Sequence, residues 1–562
     1  MVILVNAILS QNKEGIFILL IECNNIKKYF GDRLILDIED LMIYSEDRIG
    51  IVGVNGVGKT TLINILMKKL EPDEGSVKLN GSYSFVSQLE ESEVIEISDE
   101  MASRFNIPNT WDDNMSGGEK TRFKLASIFD KKTDIIFADE PTSNLDIKGI
   151  ELLEKSLGEY NGGLVTISHD RTLLDKVCNK IMEVEFSKIK TYDGNYSKYK
   201  ELKEEEKART EFEYEQYINE KKRLEGVIAD TRQKTVSIKG TPKRMGNSEA
   251  RLHKMGGQKA KKSLDNAVKN LRKRIEHLEV KEKPKEQGII NFDIQDSTRL
   301  HSKIIIEGRK INKAFDRKVI FKNADFNIYN GWNVALIGDN GCGKSTLIKM
   351  IMNNEDGIKI AKDARIGYFS QDMDILDNDK SILENIMSTS IYNETFTRTL
   401  LARLLFKRKD VYKKVDSLSG GERVKVSFAK LLLQDINILI LDEPTNYLDI
   451  NSMEVIEEAL RAYNRTILFV SHDRSFVNSI ADHIMTIENK KINVFNGNLN
   501  EYLEGLNKVY DADKENKEQE IAILENRLSE IIGKLSIPSK KDDVEALDRE
   551  YHEVVERLKI LK

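Results

Sequence analysis

Two parts of the chain share a pattern in which a short apolar run leads through a glycine-rich loop into a helical pattern. The first run is residues 48–52, followed by a helical segment at 62–70, and the second run is residues 333–337. An apolar strand, a loop and an amphipathic helix in this order are typical of parallel α/β sheets. We therefore expect an α/β fold with two domains of the same kind.

Between these two parts, residues 196–282 form a long charged stretch that predicts an antiparallel helical hairpin. Its first arm runs from 196 to about 233 and has a helical seam made of Tyr214, Tyr217, Lys221 in an apolar slot, Leu224 and Ile228. Its second arm repeats the four-and-three spacing of a coiled coil at Leu264, Val268, Leu271, Ile275 and Leu278. At about 1.5 Å per residue, the first arm reaches roughly 55–60 Å.

The turn between the arms, at about 235–256, carries concentrated positive charge. Gly240, Pro242 and Gly246 break the helical pattern there. Ten Lys or Arg residues and one acid lie between residues 232 and 262, a net charge of +9, whereas the whole chain has a net charge of −6. An ordinary solvated loop is the plain alternative, but so lopsided a charge favours a polyanionic partner.

The two ends of the chain are predicted to be extensions. Residues 1–21 contain two apolar patches without the basic region and cleavage site of a signal peptide, so we expect a poorly ordered extension. The two α/β domains then occupy 22–195 and 283–506, with the hairpin linker between them. Residues 507–562 predict a second helical hairpin from two apolar stripes, Ile521, Leu524, Leu528, Ile531 and Leu535, then Leu547, Tyr551, Val555 and Leu558.

Composition limits the setting in which the protein works. A chain of 562 residues with 40% hydrophobic content can bury several cores, and it has no apolar run of 18 or more residues. The three cysteines, Cys23, Cys178 and Cys342, have neither metal nor disulfide spacing, which is typical of a reducing compartment. We therefore expect a cytoplasmic protein without a membrane domain.

The loop after the first apolar run has the phosphate-binding pattern G-x-x-x-x-G-K-T, and the loop after the second run repeats it with Ser in place of Thr. Glycines let backbone N–H groups wrap phosphates, and the following helix N-terminus favours negative charge. The lysine then reaches the β- and γ-phosphates, and the hydroxyl that follows it binds Mg²⁺. The loop residues expected to hold ATP are Gly53, Asn55, Gly56, Gly58, Lys59, Thr60 and Thr61, and Gly338, Asn340, Gly341, Gly343, Lys344, Ser345 and Thr346.

Three further motifs recur at one spacing. A Ser-Gly-Gly-Glu run begins at residues 116 and 419, an Asp-Glu-Pro-Thr run at 139 and 442, and a Ser-His-Asp-Arg run at 168 and 471. Each pair is separated by 303 residues. A duplicated ATPase is the economical explanation of this common offset.

In this order the motifs resemble the ATP-binding cassette superfamily, and the resemblance covers about residues 22–506. It implies two nucleotide-binding domains that pair head to tail, with ATP and Mg²⁺ as cofactors. Each ATP would lie between the phosphate loop of one cassette and the Ser-Gly-Gly-Glu loop of the other. Ser419, Gly420 and Gly421 would thereby complete the Lys59 site, and Ser116, Gly117 and Gly118 the Lys344 site.

The same resemblance implies a role for each remaining motif residue. Glu140 and Glu443 would polarise the attacking water, and His169 and His472 would contact the γ-phosphate. The magnesium shell would involve Thr60, Gln88 and Asp139 in one site, and Ser345, Gln371 and Asp442 in the other. Phe30 and Phe315 are expected to stack on adenine, although either of them could equally belong to the core.

Two cassettes on one chain, joined by a long helical hairpin without membrane segments, resemble the ABC-F group. Residues 242–254 are similar to the linker of the vga/lsa/vmlR-like ribosome-protection factors. Only 28 residues separate Gln88 from residue 116, against 48 from Gln371 to residue 419, so the first cassette lacks room for an inserted arm.

The implied partners are large-subunit RNA near the exit and P sites of a bacterial ribosome, and P-site tRNA. The implied contacts are Lys239, Lys243, Arg244, Met245, Arg251, Leu252 and Lys254.

The function implied is a switch in a monomer whose two cassettes pair with each other. Two ATPs close the cassettes, and the closed form binds the ribosome. The linker then dislodges a bound pleuromutilin, lincosamide or streptogramin A drug, and hydrolysis releases the factor. Two alternatives stay open at this point: a general ABC-F translation factor, and a DNA-associated cassette ATPase.

Overall fold

The computed structural model describes residues 18–86, 96–115, 117–143, 145–237, 247–281, 302–315, 318–370, 375–406, 409–445, 448–506, 524, 527–528, 531–532 and 544–561. These residues form two α/β cassettes connected by two long helices, which is the fold class predicted from the sequence. Within these ranges, no helix is long and apolar enough to cross a membrane.

The first cassette has two sheets. An antiparallel sheet consists of β1 (Leu19–Phe30), β2 (Arg33–Tyr44) and β4 (Glu74–Leu79). A second sheet has the order β5-β6-β7-β3-β8-β9 and consists of β3 (Arg48–Val52), β5 (Tyr83–Val86), β6 (Ile135–Asp139), β7 (Gly163–Ile167), β8 (Lys180–Glu185) and β9 (Lys188–Asp193). Only its edge pair β8–β9 is antiparallel. The helices are α1 (Lys59–Leu66), α2 (Asp99–Phe105), α3 (Gly117–Asp130), α4 (Ile147–Glu159) and α5 (Arg171–Val177).

The linker consists of α6 (Tyr196–Ser237) and α7 (Asn247–Glu276). Glu220 lies 3.6 Å from Arg274, and Glu213 lies 3.2 Å from Lys281. From Glu220 to Glu213 the first arm goes back by seven residues, and from Arg274 to Lys281 the second arm goes forward by seven. The two arms are therefore antiparallel. Every predicted seam residue is at least half-buried, and Leu224, Ile228 and Val268 are buried. A helix of 42 residues is about 63 Å long.

The turn of the hairpin is shorter than the sequence pattern suggests. Helix α6 continues to Ser237, and α7 already begins at Asn247. The predicted turn at 235–256 is therefore helical at both ends, and on the α7 side helix formers such as Ala250, Arg251 and Leu252 favour the helix. Residues 238–246 lie outside the described part of the chain.

The second cassette repeats the plan of the first. Its antiparallel sheet consists of β10 (Ile304–Phe315), β11 (Lys318–Tyr329) and β13 (Ile358–Ile360). Its larger sheet has the order β14-β15-β16-β12-β17-β18 and consists of β12 (Asn333–Ile337), β14 (Ile366–Phe369), β15 (Ile438–Asp442), β16 (Thr466–Val470), β17 (His483–Glu488) and β18 (Lys491–Asn496). The helices are α8 (Lys344–Met352), α9 (Ile382–Met387), α10 (Glu394–Arg403), α11 (Gly420–Leu432), α12 (Ile450–Arg461) and α13 (Arg474–Ile480), with short 3₁₀ turns at Asp410–Tyr412 and Val415–Ser417.

The strands that carry the motifs are buried at all but their terminal residues in both cassettes. In the second cassette, β15 and β16 are buried at every position. Such strands are covered on both faces, which is why they are continuous apolar runs and not alternating ones. The phosphate loops and the Asp-Glu pairs therefore extend from rigid strand ends.

The first cassette begins earlier than the predicted boundary at residue 22. Strand β1 starts at Leu19, and Leu20 and Ile21 are buried in its core. Ile21 pairs with Ile43 on one side and with Leu79 on the other. The apolar residues before the strand hid this boundary, because no polar break separates them from it.

The C-terminal region is described in part. Helix α14 (Val544–Leu561) packs through Val554 and Leu558 against Ile531, which is completely buried. The predicted stripe placed Val555 inward, but Val554 is the more buried of the two. A further helical segment, 499–506, closes the second cassette.

Truncation of the linker seam should loosen the hairpin. We expect Leu224→Ala to lower the free energy of local hairpin opening by about 2–4 kcal/mol, because a buried leucine leaves a cavity. Hydrogen exchange of the α6 amides measures this opening. The control Val227→Ala changes an exposed residue of the same helix and should alter the opening free energy by less than about 0.5 kcal/mol. Equal effects of the two substitutions would contradict the packing described.

Candidate nucleotide site between the two cassettes

Each phosphate loop is preformed between a strand and a helix. Gly58 has φ of 111°, and a Cβ at this position would lie 2.6 Å from Ile35 Cγ2. Only glycine fits both the backbone angle and the space. Lys59 Nζ donates to the carbonyl oxygen of Gly53 at 2.7 Å, and Lys344 Nζ donates to that of Gly338 at 2.8 Å. Both lysines are held over their own loops, where a phosphate would displace a carbonyl oxygen as the partner.

The first acidic residue of each Asp-Glu pair contacts the hydroxyl that follows the lysine. Thr60 Oγ1 donates to Asp139 Oδ2 at 3.0 Å, and Ser345 makes the equivalent bond to Asp442. Burial raises the pKa of both aspartates. A hydroxyl and a carboxylate brought together in this way are hard oxygen ligands of the kind that Mg²⁺ prefers. Each of the two pairs therefore fits a magnesium ion bound beside the phosphates of its own site.

The second acidic residue has a strained backbone conformation in both cassettes. Glu140 has φ of 52° and Glu443 has φ of 50°, in the left-handed region. Their backbone N–H groups donate to Ile167 and Val470 on the neighbouring strand, at 2.9 and 3.0 Å. Such strain, of about 1–3 kcal/mol, occurs preferentially at functional sites.

Each of these glutamates lies against the histidine of the same cassette. The distance from His Nε2 to Glu Oε1 is 3.3 Å for His169 with Glu140 and for His472 with Glu443. Burial, followed by repulsion from Asp139, raises the pKa of Glu140 to about 8, and burial raises that of Glu443 to about 7. Burial also lowers the pKa of His169 to about 3 and that of His472 to about 4. The histidines are therefore neutral at physiological pH.

One cavity of about 1460 Å³ contains both phosphate loops. It is lined by Lys59 and Glu140 of the first cassette together with Ser419 and Gly421 of the second. Ser419 caps the N-terminus of helix α11, where partial positive charge favours an anion. Gly118, from the equivalent loop of the first cassette, lines the same cavity. The structure thus brings each phosphate loop and the opposite Ser-Gly-Gly loop to one cavity.

Two aspartates that the sequence reasoning missed also reach this interface. Asp146 Oδ2 accepts from the backbone N–H of Asn340 in the opposite phosphate loop, at 3.1 Å. Its equivalent, Asp449, instead accepts from Lys425 of its own cassette at 3.0 Å. Lys148 adds an ion pair of 3.0 Å to Asp339 across the interface. The Leu-Asp repeat at 145–146 and 448–449, also 303 residues apart, is the signal that could have identified both aspartates.

The two candidate adenine-stacking residues do not belong to the core. Phe30 is 55% exposed and Phe315 is 53% exposed, which rules out the core alternative for both. Phe315 lines the cavity, and Lys313 Nζ lies 5.7 Å from the centre of its ring. An exposed aromatic ring at the cavity edge is available for a planar base.

The remaining predicted site residues are only partly placed. Gly117 begins helix α3, and Arg251, Leu252 and Lys254 lie on the backbone of α7. Outside the described residues lie Gln88, Ser116, Lys239, Lys243, Arg244, Met245 and Gln371.

Comparison with known proteins identifies the family. A family model described as ABC transporter matches residues 36–94 and 321–446. The erythromycin resistance ATP-binding protein MsrA of Staphylococcus epidermidis is 33% identical over 474 residues, which are 82% of this chain and 96% of that protein. The ribosome protection protein VmlR of Bacillus subtilis is 30% identical over 565 residues, 96% of this chain and 98% of that protein. The chain belongs to the ABC-F subfamily of ATP-binding cassette proteins.

This ABC-F protein also shares its tandem arrangement with a solved structure. RNase-L Inhibitor matches it with a TM-score of 0.57 at 20% identity, over 87% of this chain and 93% of that chain. A likeness at this identity shows the fold alone. Family membership makes the chain an ATP-hydrolysing cassette ATPase, for which Mg²⁺ is the usual companion ion.

Removal of either loop lysine should empty one nucleotide site. We expect Lys59→Ala and Lys344→Ala each to reduce the binding stoichiometry from about two nucleotides per chain to about one, because each lysine contacts the phosphates of one ATP. Isothermal titration with a non-hydrolysable ATP analogue measures the stoichiometry. Lys349→Ala, an exposed lysine later in helix α8, is the control and should leave it unchanged. An unchanged stoichiometry in both loop variants would contradict the assignment.

Proposed function

We propose that the protein is an ATP-dependent ribosome-protection factor with two composite ATP sites. The observation that supports this proposal is a single cavity lined by both phosphate loops and by residues of both Ser-Gly-Gly loops. Its relatives MsrA and VmlR are named as an erythromycin resistance protein and a ribosome protection protein, and these names support a role in protecting ribosomes from antibiotics. The partners are large-subunit RNA near the exit and P sites of a bacterial ribosome, and P-site tRNA.

Each ATP would be held by groups from both cassettes. Lys59 exchanges its bond to the Gly53 carbonyl for one to the phosphates, and Ser419 at the start of α11 caps the γ-phosphate from the other side. Thr60 and Asp139 would hold Mg²⁺, which neutralises charge on the phosphates when it is bound. The Lys344 site uses the equivalent residues. Neither site is complete until the cassettes are docked.

The glutamate and the histidine have complementary chemical tasks. Glu140 is a general base for the attacking water, and a carboxylate with a pKa near neutrality is well matched to this task. Its Oε1 atom is buried and lies 3.3 Å from His169 Nε2, which places the base directly beside the histidine. His169 is neutral, and an N–H of its ring can donate to the γ-phosphate as charge develops there. Glu443 and His472 repeat the arrangement.

The linker supplies the reach and the charge for ribosome binding. Helix α6 extends for about 63 Å, and the net charge between residues 232 and 262 is +9. A rigid arm with a basic end can approach RNA phosphates far from the cassettes. The end of this arm would displace or distort the P-site tRNA and nearby RNA, so that a bound pleuromutilin, lincosamide or streptogramin A drug leaves.

ATP hydrolysis would then release the factor. Once the γ-phosphate is cleaved, the Ser-Gly-Gly loops lose their ligand and the cassettes separate. A protein that binds the ribosome only in the closed form dissociates at this step. The cycle therefore couples one closure to one displacement of drug.

A hydrolysis-deficient variant should be trapped on ribosomes. We expect Glu140→Gln with Glu443→Gln to co-pellet with ribosomes in ATP more strongly than the unchanged protein, because the general bases are lost while binding is retained. Sedimentation through sucrose measures co-pelleting. The control Glu151→Gln with Glu454→Gln makes the same charge change at two non-catalytic positions that are also 303 residues apart.

The same pellets decide between the candidate functions. Loss of labelled pleuromutilin or lincosamide from the ribosomes supports protection. The same measurement with labelled erythromycin tests the drug in the name of the relative MsrA. Co-pelleting without loss of any drug indicates a general translation factor. Failure to co-pellet contradicts ribosome binding and leaves the DNA-associated alternative.

Neutralised lysines near the linker turn should reduce the salt dependence of binding. Lys259, Lys261 and Lys262 are exposed on α7. Their joint change to Gln should lower the slope of log affinity against log salt by about 2–3, since each phosphate contact contributes about 0.7–0.9. Ribosome binding at several KCl concentrations measures the slope. The control neutralises three exposed cations midway along the hairpin, namely Lys222, Lys269 and Arg272, and equal slopes for the two sets would contradict contact at the turn.

A further inference from the structure

Two buried ion pairs cross the interface between the cassettes. Arg171 at the start of α5 pairs with Glu457 of α12, and Arg474 at the start of α13 pairs with Glu154 of α4. In each pair, Nη1 of the arginine donates to Oε2 of the glutamate at 3.3 Å, and Nη2 donates to Oε1. The four side chains are 14%, 5%, 8% and 8% exposed in that order. Both pairs are therefore two-pronged and largely shielded from water.

The two pairs are related by the internal duplication. Arg171 and Arg474 are 303 residues apart, and so are Glu154 and Glu457. Thr172 Oγ1 lies 3.0 Å from Ser475 Oγ, and these two residues are again separated by 303 positions. Equivalent residues touch only where a pseudo-two-fold axis passes between them. The ion pairs thus flank the axis on which the cassettes meet.

Each arginine is tied to the candidate catalytic histidine of its own cassette. Arg171 follows His169 by two residues, and Asp170 between them caps helix α5 by accepting from the N–H groups of Thr172 and Leu173. Asp473 caps α13 by accepting from the N–H group of Phe476. The histidine, the capping aspartate and the arginine therefore form one short rigid turn, whose last side chain is held by the opposite cassette.

We propose that Glu457 and Glu154 are positioning residues that act across the interface. Glu457 fixes the turn that carries His169, and Glu154 fixes the turn that carries His472. Each histidine then reaches its working position only when the other cassette is docked. This inference rests on the proposed role of the two histidines, and it adds a reason why hydrolysis waits for closure.

The surroundings of the pairs determine which substitutions are informative. Glu154 also contacts Lys176 at 2.9 Å, Glu457 also contacts Arg461 at 3.7 Å, and Arg474 lies 4.0 Å from Asp170. A charge reversal would therefore create new contacts with these neighbours. Neutral substitutions of similar size avoid this problem. Removal of one partner leaves a buried charge unpaired, whereas removal of both does not.

A double-mutant cycle on steady-state ATP hydrolysis tests the inference. We expect Glu457→Gln and Arg171→Met each to lower kcat about ten-fold, with KM for ATP within about two-fold, because the phosphate loops are untouched. The combined variant should be no slower than the slower single variant. The matched control is the pair Lys200–Glu454, which joins the linker to the same helix α12 at 3.0 Å but is 47% and 37% exposed. Lys200→Met and Glu454→Gln should leave kcat near its original value.

A disulfide reporter separates positioning from simple loss of docking. Thr172→Cys with Ser475→Cys, in a Cys342→Ser background, places two thiols across the axis where the hydroxyls now lie 3.0 Å apart. In the Glu457→Gln chain, retained cross-linking together with a lower kcat supports the inference. An unchanged kcat overturns it, and so does an additive loss accompanied by lost cross-linking. Loss of all hydrolysis in Glu140→Gln with Glu443→Gln tests the proposed function separately, so the two failures can be distinguished.

Discussion

Contact between the two cassettes depends on buried ion pairs in which each cassette supplies one of the two charges. Arg171 and Arg474 are shielded from water, and their glutamate partners lie across the interface. An unpaired buried charge is costly, so separation of the cassettes must be accompanied by rehydration of these groups. The candidate catalytic glutamates and histidines line the cavity at the same interface. The proposed chemistry therefore depends on the same contact between the cassettes that pairs these charges.

The duplication is close but not complete, and the differences fall at the nucleotide sites. Asp146 reaches across to the backbone of Asn340, while its equivalent Asp449 is turned toward Lys425. The ion pair of Lys148 with Asp339 has no counterpart, because the equivalent positions are Asn451 and Val54. Both of these contacts tie the Lys344 site to the opposite cassette.

Contiguous motifs and helical periods could be predicted from the sequence, whereas contacts between distant segments could not. The phosphate loops follow from a few adjacent residues, and the hairpin seam around Leu224 follows from its spacing. The start of β1 was misplaced because apolar residues precede it without a break. The left-handed backbone at Glu140 and the partner of Arg171 depend on neighbouring strands and on the second cassette, and no local pattern carries that information.

The most direct test of the whole account is a cryo-EM reconstruction of the Glu140→Gln, Glu443→Gln protein bound to ribosomes in ATP. We expect closed cassettes, one ATP between each phosphate loop and the opposite Ser-Gly-Gly loop, and the hairpin turn beside the P-site tRNA. Cassettes that stay apart with nucleotide bound, or a hairpin directed away from the tRNA, would contradict it. Such a map would show at once whether closure builds both sites and where the linker acts.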